Sequence, residues 1–236
     1  MGKVKIGYSP NGSGGGGGQG NIKIPDFFTP AYICPPPGQT DGLWISAYNT
    51  SFDYLLVPKI DVDANVMPNF FSETKPFKIH VRVYINDLSM GSDGGNTNTL
   101  FGSVYDYANY PSMDMHYQYF WGGISYNGGS WAKGIELRPK EGETQVVEKG
   151  KIYSVEYGWD GENLYIKLYN DEGELINSAS VPETRGHVPY GVDRSHFFAF
   201  GGLCRSRSHQ VRNSFIDVLN TYVEIDGEVK WGNKNE

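Results

Sequence analysis

Two segments of this 236-residue chain alternate apolar and polar residues and then turn at an Asp-Gly pair, a pattern that few folds can satisfy. The first runs Lys151-Ile152-Tyr153-Ser154-Val155-Glu156-Tyr157-Gly158-Trp159, turns at Asp160-Gly161 and continues from Asn163 to Asn170. A further turn at Asp171-Glu172-Gly173 leads into Glu174-Leu175-Ile176. The second segment carries two expected strands, Phe215–Leu219 and Tyr222–Ile225, turns at Asp226-Gly227 and resumes with a third, Val229–Trp231. A two-residue period places successive side chains on opposite faces of a pleated strand, one face for a core and one for water. Asp-Gly tolerates the positive φ that a two-residue hairpin requires. The segments predict a three-strand meander and a C-terminal hairpin.

The same signals recur along the chain. Strands are expected at Leu43–Tyr48, Tyr54–Val62, Phe77–Ile85, Leu100–Val104, Tyr117–Tyr126, Ala132–Leu137, Thr144–Val147 and Phe197–Cys204, besides those already named. Turns such as Gly94-Gly95-Asn96 and Asn127-Gly128-Gly129 separate them. Gly 31, Tyr 17, Phe 12 and Trp 5 suit pleated surfaces and tight turns, and no long stretch repeats at helical spacing. Many short strands with glycine-rich turns predict an all-β protein, an antiparallel β-sandwich of jelly-roll type spanning residues 41–236.

Residues 1–40 differ. Gly14 to Gly18 are five consecutive glycines, and Pro35-Pro36-Pro37 favours an extended polyproline conformation. With only the apolar patches Ile22 to Ile24 and Phe27-Phe28, this stretch is expected to be an extended N-terminal arm that lies on another surface. The opening MGKVKIGYSP has no apolar signal region, and Ile6 stands where a myristoylation site has Ser or Thr. No run reaches membrane-spanning length, so no membrane insertion is expected. A net charge of -7 argues against nucleic acid as a partner. Cys34 and Cys204 are expected to be two reduced thiols, since neither has a second ligand at zinc spacing.

The meander YSVEYGWDGENLYIKLYNDEGELI resembles concanavalin A-like (laminin-G-like) jelly rolls, with their strand, W/D-G turn and strand carrying a Y-I-K face. The ending IDVLNTYVEIDGEVKWG is similar to C-terminal segments of tail-fibre and other virion proteins of tailed bacteriophages. The resemblance covers residues 41 to 232 at the level of fold, while the hairpin motif spans about twenty residues. It implies a virion location, other virion proteins as partners through the arm, a homo-oligomer and, as with many fibres, a host-surface glycan as ligand.

Glu224-Ile225-Asp226-Gly227-Glu228 has the E-x-D-x-E spacing of laminarinase-type glycoside hydrolases, where alternation lines three carboxylates along one strand face. The Asp226-Gly227 turn is expected to break that face. Asp87, Asp93 and Asn96, with Asn98, crowd a glycine-rich loop whose oxygens suit calcium, although the EF-hand spacing is absent and a solvated turn accounts for them. No other cofactor is expected. His80, His116, His187, His196 and His209 have no partner at metal or catalytic spacing in sequence. Arg205 and Arg207, with His209 and Arg212, form a basic cluster suited to an acidic sugar, a phosphate or an acidic neighbour.

The aromatic stretch YDYANYPSMDMHYQYFWGGISYNGGSW is the stronger binding candidate. Tyr105, Tyr107, Tyr110, Trp121 and Trp131 offer flat apolar faces with a polar handle, for stacking on a sugar or docking a protein. Half of the stretch is expected to face the core instead. The sequence points to a non-enzymatic virion structural protein: a fibre, an appendage or a capsid-decorating component. A free carbohydrate-binding lectin module and, more distantly, a glycoside hydrolase of the same fold are the alternatives.

Overall fold

The computed structural model describes residues 28–30, 36, 38–46, 56–58, 74–85, 98–103, 112–115, 119–126, 130–186, 198–203, 214–232 and 234. These residues form fourteen strands: β1 (Phe28–Pro30), β2 (Trp44–Ser46), β3 (Leu56–Pro58), β4 (Phe77–Ile85), β5 (Asn98–Ser103), β6 (Ser112–Met115), β7 (Phe120–Tyr126), β8 (Ser130–Leu137), β9 (Ile152–Trp159), β10 (Asn163–Tyr169), β11 (Leu175–Pro182), β12 (Phe198–Leu203), β13 (Ser214–Ile225) and β14 (Glu228–Gly232). One sheet has the order β1-β3-β12-β5-β6-β7-β8. The other has the order β11-β10-β9-β4-β13-β14, with β2 also paired to β13. Every pairing is antiparallel.

The two sheets close on a common core, so the fold is the expected antiparallel β-sandwich. Ile79, Val81 and Val83 of β4, Val155 and Tyr157 of β9, and Leu164, Ile166 and Leu168 of β10 meet Met113, Phe120, Ile124 and Leu137 of the first sheet. Each such side chain removes about 1.5–3 kcal/mol of apolar exposure from water. Tyr157 spans the gap, and its hydroxyl donates to the Gly123 carbonyl at 2.7 Å.

The meander forms as expected, with Lys167 opposite Glu156 and Leu168 opposite Val155. Two expectations need correction. Thr144–Val147 is not a strand; Val146 and Val147 are both buried, so this stretch plugs the core instead of alternating across a pleat. Phe215–Leu219 and Tyr222–Ile225 are one strand, β13, whose register shifts between Asp217 and Tyr222. The short strands β1 and β6 were not foreseen. Of the expected arm, Phe28–Pro30 pairs with Leu56–Pro58 of the sandwich.

The irregularity in β13 surrounds a buried carboxylate. Asp217 is fully buried. Its Oδ1 accepts from the Leu43 and Leu219 N–H groups at 3.0 and 3.1 Å. Its Oδ2 accepts from Arg82 Nη1 at 2.7 Å and Asn220 Nδ2 at 2.6 Å. Arg82 extends the network to Asp41 at 3.1 Å and Asp171 at 2.8 Å. Burial opposes the charge on Arg82, but hydrogen bonds to Asp171 and Asp217 outweigh it and hold the guanidinium firmly protonated. Gly42 fits here because its φ is +79° and a Cβ would lie 2.8 Å from the Asp217 carboxylate.

The network fastens Asp41 to Trp44 at one end of the second sheet's outer face, where β2 runs beside β13. There Trp44 packs with Tyr84, Ile152 and Phe215, under Arg82 at 5.1 Å from the indole centroid. Replacing Asp217 would leave Arg82, only 14% exposed in its side chain, without its deepest partner. Asp217→Ala is expected to cost about 3–5 kcal/mol, the range for breaking a buried pair, in urea denaturation. A loss below about 1 kcal/mol, the scale of a surface pair, would contradict this role.

Candidate functional site

Beyond Arg82, alternation along β4, β9, β10 and β13 builds three polar rows on the outer face of the second sheet. Cross-strand register places Tyr169, Ser154, Arg82 and Asp217 in one row. Lys167, Glu156, His80 and Tyr222 form the next, and Tyr165, Gly158, Lys78 and Glu224 the last. The segment carrying Trp44 packs at one end of this face. At the opposite end is a cleft.

The middle row is tightly coupled. The His80 and Tyr222 rings stack at 4.9 Å and 7° between planes. The Tyr169 hydroxyl donates to Glu156 Oε2 at 3.1 Å. His80 Nδ1 is buried 3.6 Å from Glu156 Oε1 and has no hydrogen-bond partner among the described residues. Burial alone would raise the Glu156 carboxyl; contact with His80, the charge of Lys78 and the Tyr169 hydroxyl outweigh it and hold the group below its ordinary value. The tyrosines move the other way. Burial, then the Glu156 charge and hydrogen bond, push Tyr169 up to about 12. Burial and the Glu156, Asp160 and Glu224 charges raise Tyr165, and burial with Glu156 and Glu224 raises Tyr222. These phenols, neutral at physiological pH like any tyrosine, thus resist ionisation further into the alkaline range.

The cleft has a volume of about 230 Å³ and is lined by Pro76, Phe77, Lys78, Trp159, Asp160, Tyr165, Glu224 and Gly227. The Tyr165 ring lies directly over Gly158, where a Cβ would meet the phenol oxygen at 2.5 Å and the Phe77 carbonyl at 2.4 Å. Lys167 Nζ sits 5.0 Å from that ring's centroid. Asp160 Oδ1 is fixed by the N–H groups of Glu162 at 2.9 Å and Asn163 at 2.7 Å. Glu224 lies 3.4 Å from Lys78 and 3.5 Å from Lys234. Asp160, Lys78 and Glu224 are thus each fixed by partners within the chain.

The sequence-derived candidates fall elsewhere. Trp121 stands on the outer face of the first sheet, its ring across Gly123 and its cross-strand neighbour Gly134. Trp131 lies on β8, opposite Ser125. Tyr105, Tyr107, Tyr110, Arg205, Arg207, Asp87, Asp93 and Asn96 lie outside the described residues. Among the described residues, no group of three or more His, Cys, Asp or Glu is arranged to hold a metal ion.

The E-x-D-x-E spacing does not assemble a row of carboxylates. Asp226 occupies the turn at φ 53°, and Glu228 lies on the returning strand opposite Ile225. Glu224 remains in the sheet opposite Lys78, while Glu228 is exposed and pairs with Lys230. What sequence reasoning missed is the Lys78, Glu156, Tyr165 and Glu224 face. The Tyr165-Ile166-Lys167 alternation carried half of the signal; the pairing of β9 with β4, which brings His80 to Glu156, carried the rest.

No protein-family model matches the chain, and no curated protein matches its sequence. Solved structures with a similar chain path include the binding domain of Paraclostridial Mosquitocidal Protein 1, at 10% identity over 92% of this chain and 45% of the other, TM-score 0.49. The receptor-binding domain of botulinum neurotoxin D aligns at 10% identity over 91% of this chain and 44% of the other, TM-score 0.47. A protein of unknown function from Shewanella oneidensis MR-1 aligns at 11% identity over 83% of this chain and 74% of the other, TM-score 0.48. The chain spans less than half of the two clostridial binding domains. No residue's role is carried over from likenesses of this size.

The depressed Glu156 carboxyl has a measurable consequence. Its folded value lies below its ordinary value of 4.5, so its contribution is complete above about pH 4.5 and is lost as pH falls through the folded value. Glu156→Gln is expected to flatten the fall in urea midpoint below pH 4.5 while leaving the slope above it unchanged. An unaltered acid limb would refute the coupling.

Proposed function

We propose that this chain is a non-catalytic, sugar-binding β-sandwich of a bacteriophage virion: a fibre, an appendage or a capsid-decorating component. One observation carries the sugar-binding part. The outer face of the second sheet places Tyr165, Tyr169, Tyr222 and His80 among fixed charges, beside an open cleft. Rigid aromatics with a few convergent polar groups are the chemistry that binds sugar rings. The non-catalytic part is supported by the split of Glu224, Asp226 and Glu228 across a turn.

The virion assignment rests on the likeness of the C-terminal hairpin to those of phage virion proteins. The hairpin closes the sandwich, with Trp231 opposite Val223 and buried in the core. In this reading residues 1–40 anchor the chain to other virion proteins or to further copies of itself, and the sandwich is displayed toward the host. A free lectin module is the second reading. It is favoured by the pairing of Phe28–Pro30 with Leu56–Pro58 of the same chain, which makes part of the arm an element of its own sandwich.

The test is a glycan array probed with the full chain, followed by chromatography of any retained glycan. Retention of at least one glycan, recovered at unchanged length, is expected. Shortening of a retained glycan would overturn the non-catalytic reading, and no retention at all would overturn sugar binding. Light scattering on the same sample separates the two settings: an assembly favours the virion component, a monomer the free module.

A further inference from the structure

A β-sandwich is open to pairing with another chain at the edges of its sheets. Among the described residues, one sheet ends on β1 and β8 and the other on β11 and β14. Three of these strands are guarded. β1 has three residues and ends in Pro30. β8 carries Lys133 and Glu136, and β14 carries the exposed Glu228 and Lys230. β11 runs for eight residues, from Leu175 to Pro182, without a charge.

The backbone of β11 is also presented for pairing. The Glu183 N–H donates to the Glu162 carbonyl at 2.7 Å. Antiparallel alternation then directs the backbone groups of Val181, Ala179 and Asn177 to β10, and those of Ser178 and Ser180 to the open edge. In keeping with this, the Ser178 N–H donates to the Asn177 side chain at 2.9 Å and not to β10. Packing stops short on the same side. Leu164, Ile166 and Leu168 of β10 are fully buried, whereas Ile176, Ala179 and Val181, which pack on the same core, are only half-buried. Leu175 is 53% exposed, more than any other large apolar side chain described.

The missing charge selects the occupant. When a strand pairs antiparallel with its own copy across a two-fold axis, a charge near the axis meets its own like. β11 has none to repel. Centred on Ala179, the pairing sets the smallest side chain of the strand against itself, where Cα atoms approach to about 4.5 Å. Ser178 then faces the partner's Ser180 and exchanges both backbone hydrogen bonds with it. Ile176, beside the exposed Leu175, falls opposite the partner's Pro182. A strand supplied by a different chain would need no such symmetry.

We propose that β11 is a self-pairing edge that joins two copies of this chain into a dimer with one continuous sheet. The two-fold axis stands perpendicular to that sheet, so both outer faces look the same way. Ser178 and Ser180 continue the rows of Lys167 and Tyr165, which therefore run up to the seam. The contact does not rest on the proposed sugar binding. Where that reading holds, the dimer offers two copies of the face to one glycan surface, and retention gains by avidity.

The test is light scattering of the full chain, of Ser180→Pro and of the double variant Ser178→Glu with Ser180→Glu, each with a urea midpoint. Proline at 180 removes an N–H that β10 does not use, as Pro182 already does two residues on. The two glutamates stand at exposed positions in the single chain but face the partner's glutamates in the dimer. The parent is expected at twice the chain mass of 26.3 kDa, and both variants at one chain mass with urea midpoints near the parent's. If Ser180→Pro does not fold, the double variant decides alone. A parent of one chain mass overturns the inference. So does an assembly whose mass neither variant lowers, which would place the contact on residues 1–40 or on another surface. On a glycan array the parent is expected to be retained longer than the variants. Equal retention would overturn the shared presentation and leave sugar binding standing.

Discussion

The buried carboxylate of Asp217 is the interaction on which the second sheet is organised. A carboxylate removed from water is tolerated only when its lone pairs are filled, and Asp217 fills them from four directions. Those donors come from distant parts of the chain: Leu43, Arg82, and Leu219 with Asn220. The shift of register in β13 brings the Leu219 N–H and the Asn220 side-chain amide to the carboxylate. Arg82 then carries the charge outward to Asp41 and Asp171. One buried acid thus fixes where the segment before β2 sits and which part of the sheet's outer face it covers.

That division of the outer face links fold to function. Trp44 seals one end against Tyr84, Ile152 and Phe215. At the other end Gly158 leaves the space that the Tyr165 ring occupies, and two Asp-Gly turns, through Asp160 and Gly227, contribute to the cleft wall. Between the ends, Glu156 joins His80, Tyr169 and Lys78 into one electrostatic unit. The tyrosines stay neutral because burial and neighbouring carboxylates both oppose ionisation. The result is a rigid surface of phenols and fixed charges, which loses little entropy on binding a small polar ring.

Much of the fold was legible from alternation and turn chemistry. The meander of β9, β10 and β11 and the hairpin of β13 and β14 lie where period and Asp-Gly turns put them. Thr144–Val147 misled because two β-branched residues in sequence look like a strand; both are buried, which strict alternation forbids. The short β6 escaped because four residues show too little period, although Met113 and Met115 are both buried. The break in β13 was visible as an interruption, but its cause was not. Asp217 reads as one polar residue of an alternating strand, and its partner Arg82 is 135 residues away. The candidate site was half legible for the same reason. Tyr165 and Lys167 stand out on their strand, whereas Lys78, His80 and Glu224 acquire meaning only through register with β9 and β10.

The central claim is that the outer face of the second sheet is the working surface. Backbone amide chemical-shift mapping of the full chain, titrated with a glycan that it retains, tests this most directly. The account predicts shifts concentrated at Lys78, Gly158, Tyr165 and Glu224, fading toward Arg82. Shifts confined to the first sheet around Trp121, with these four unmoved, would contradict it.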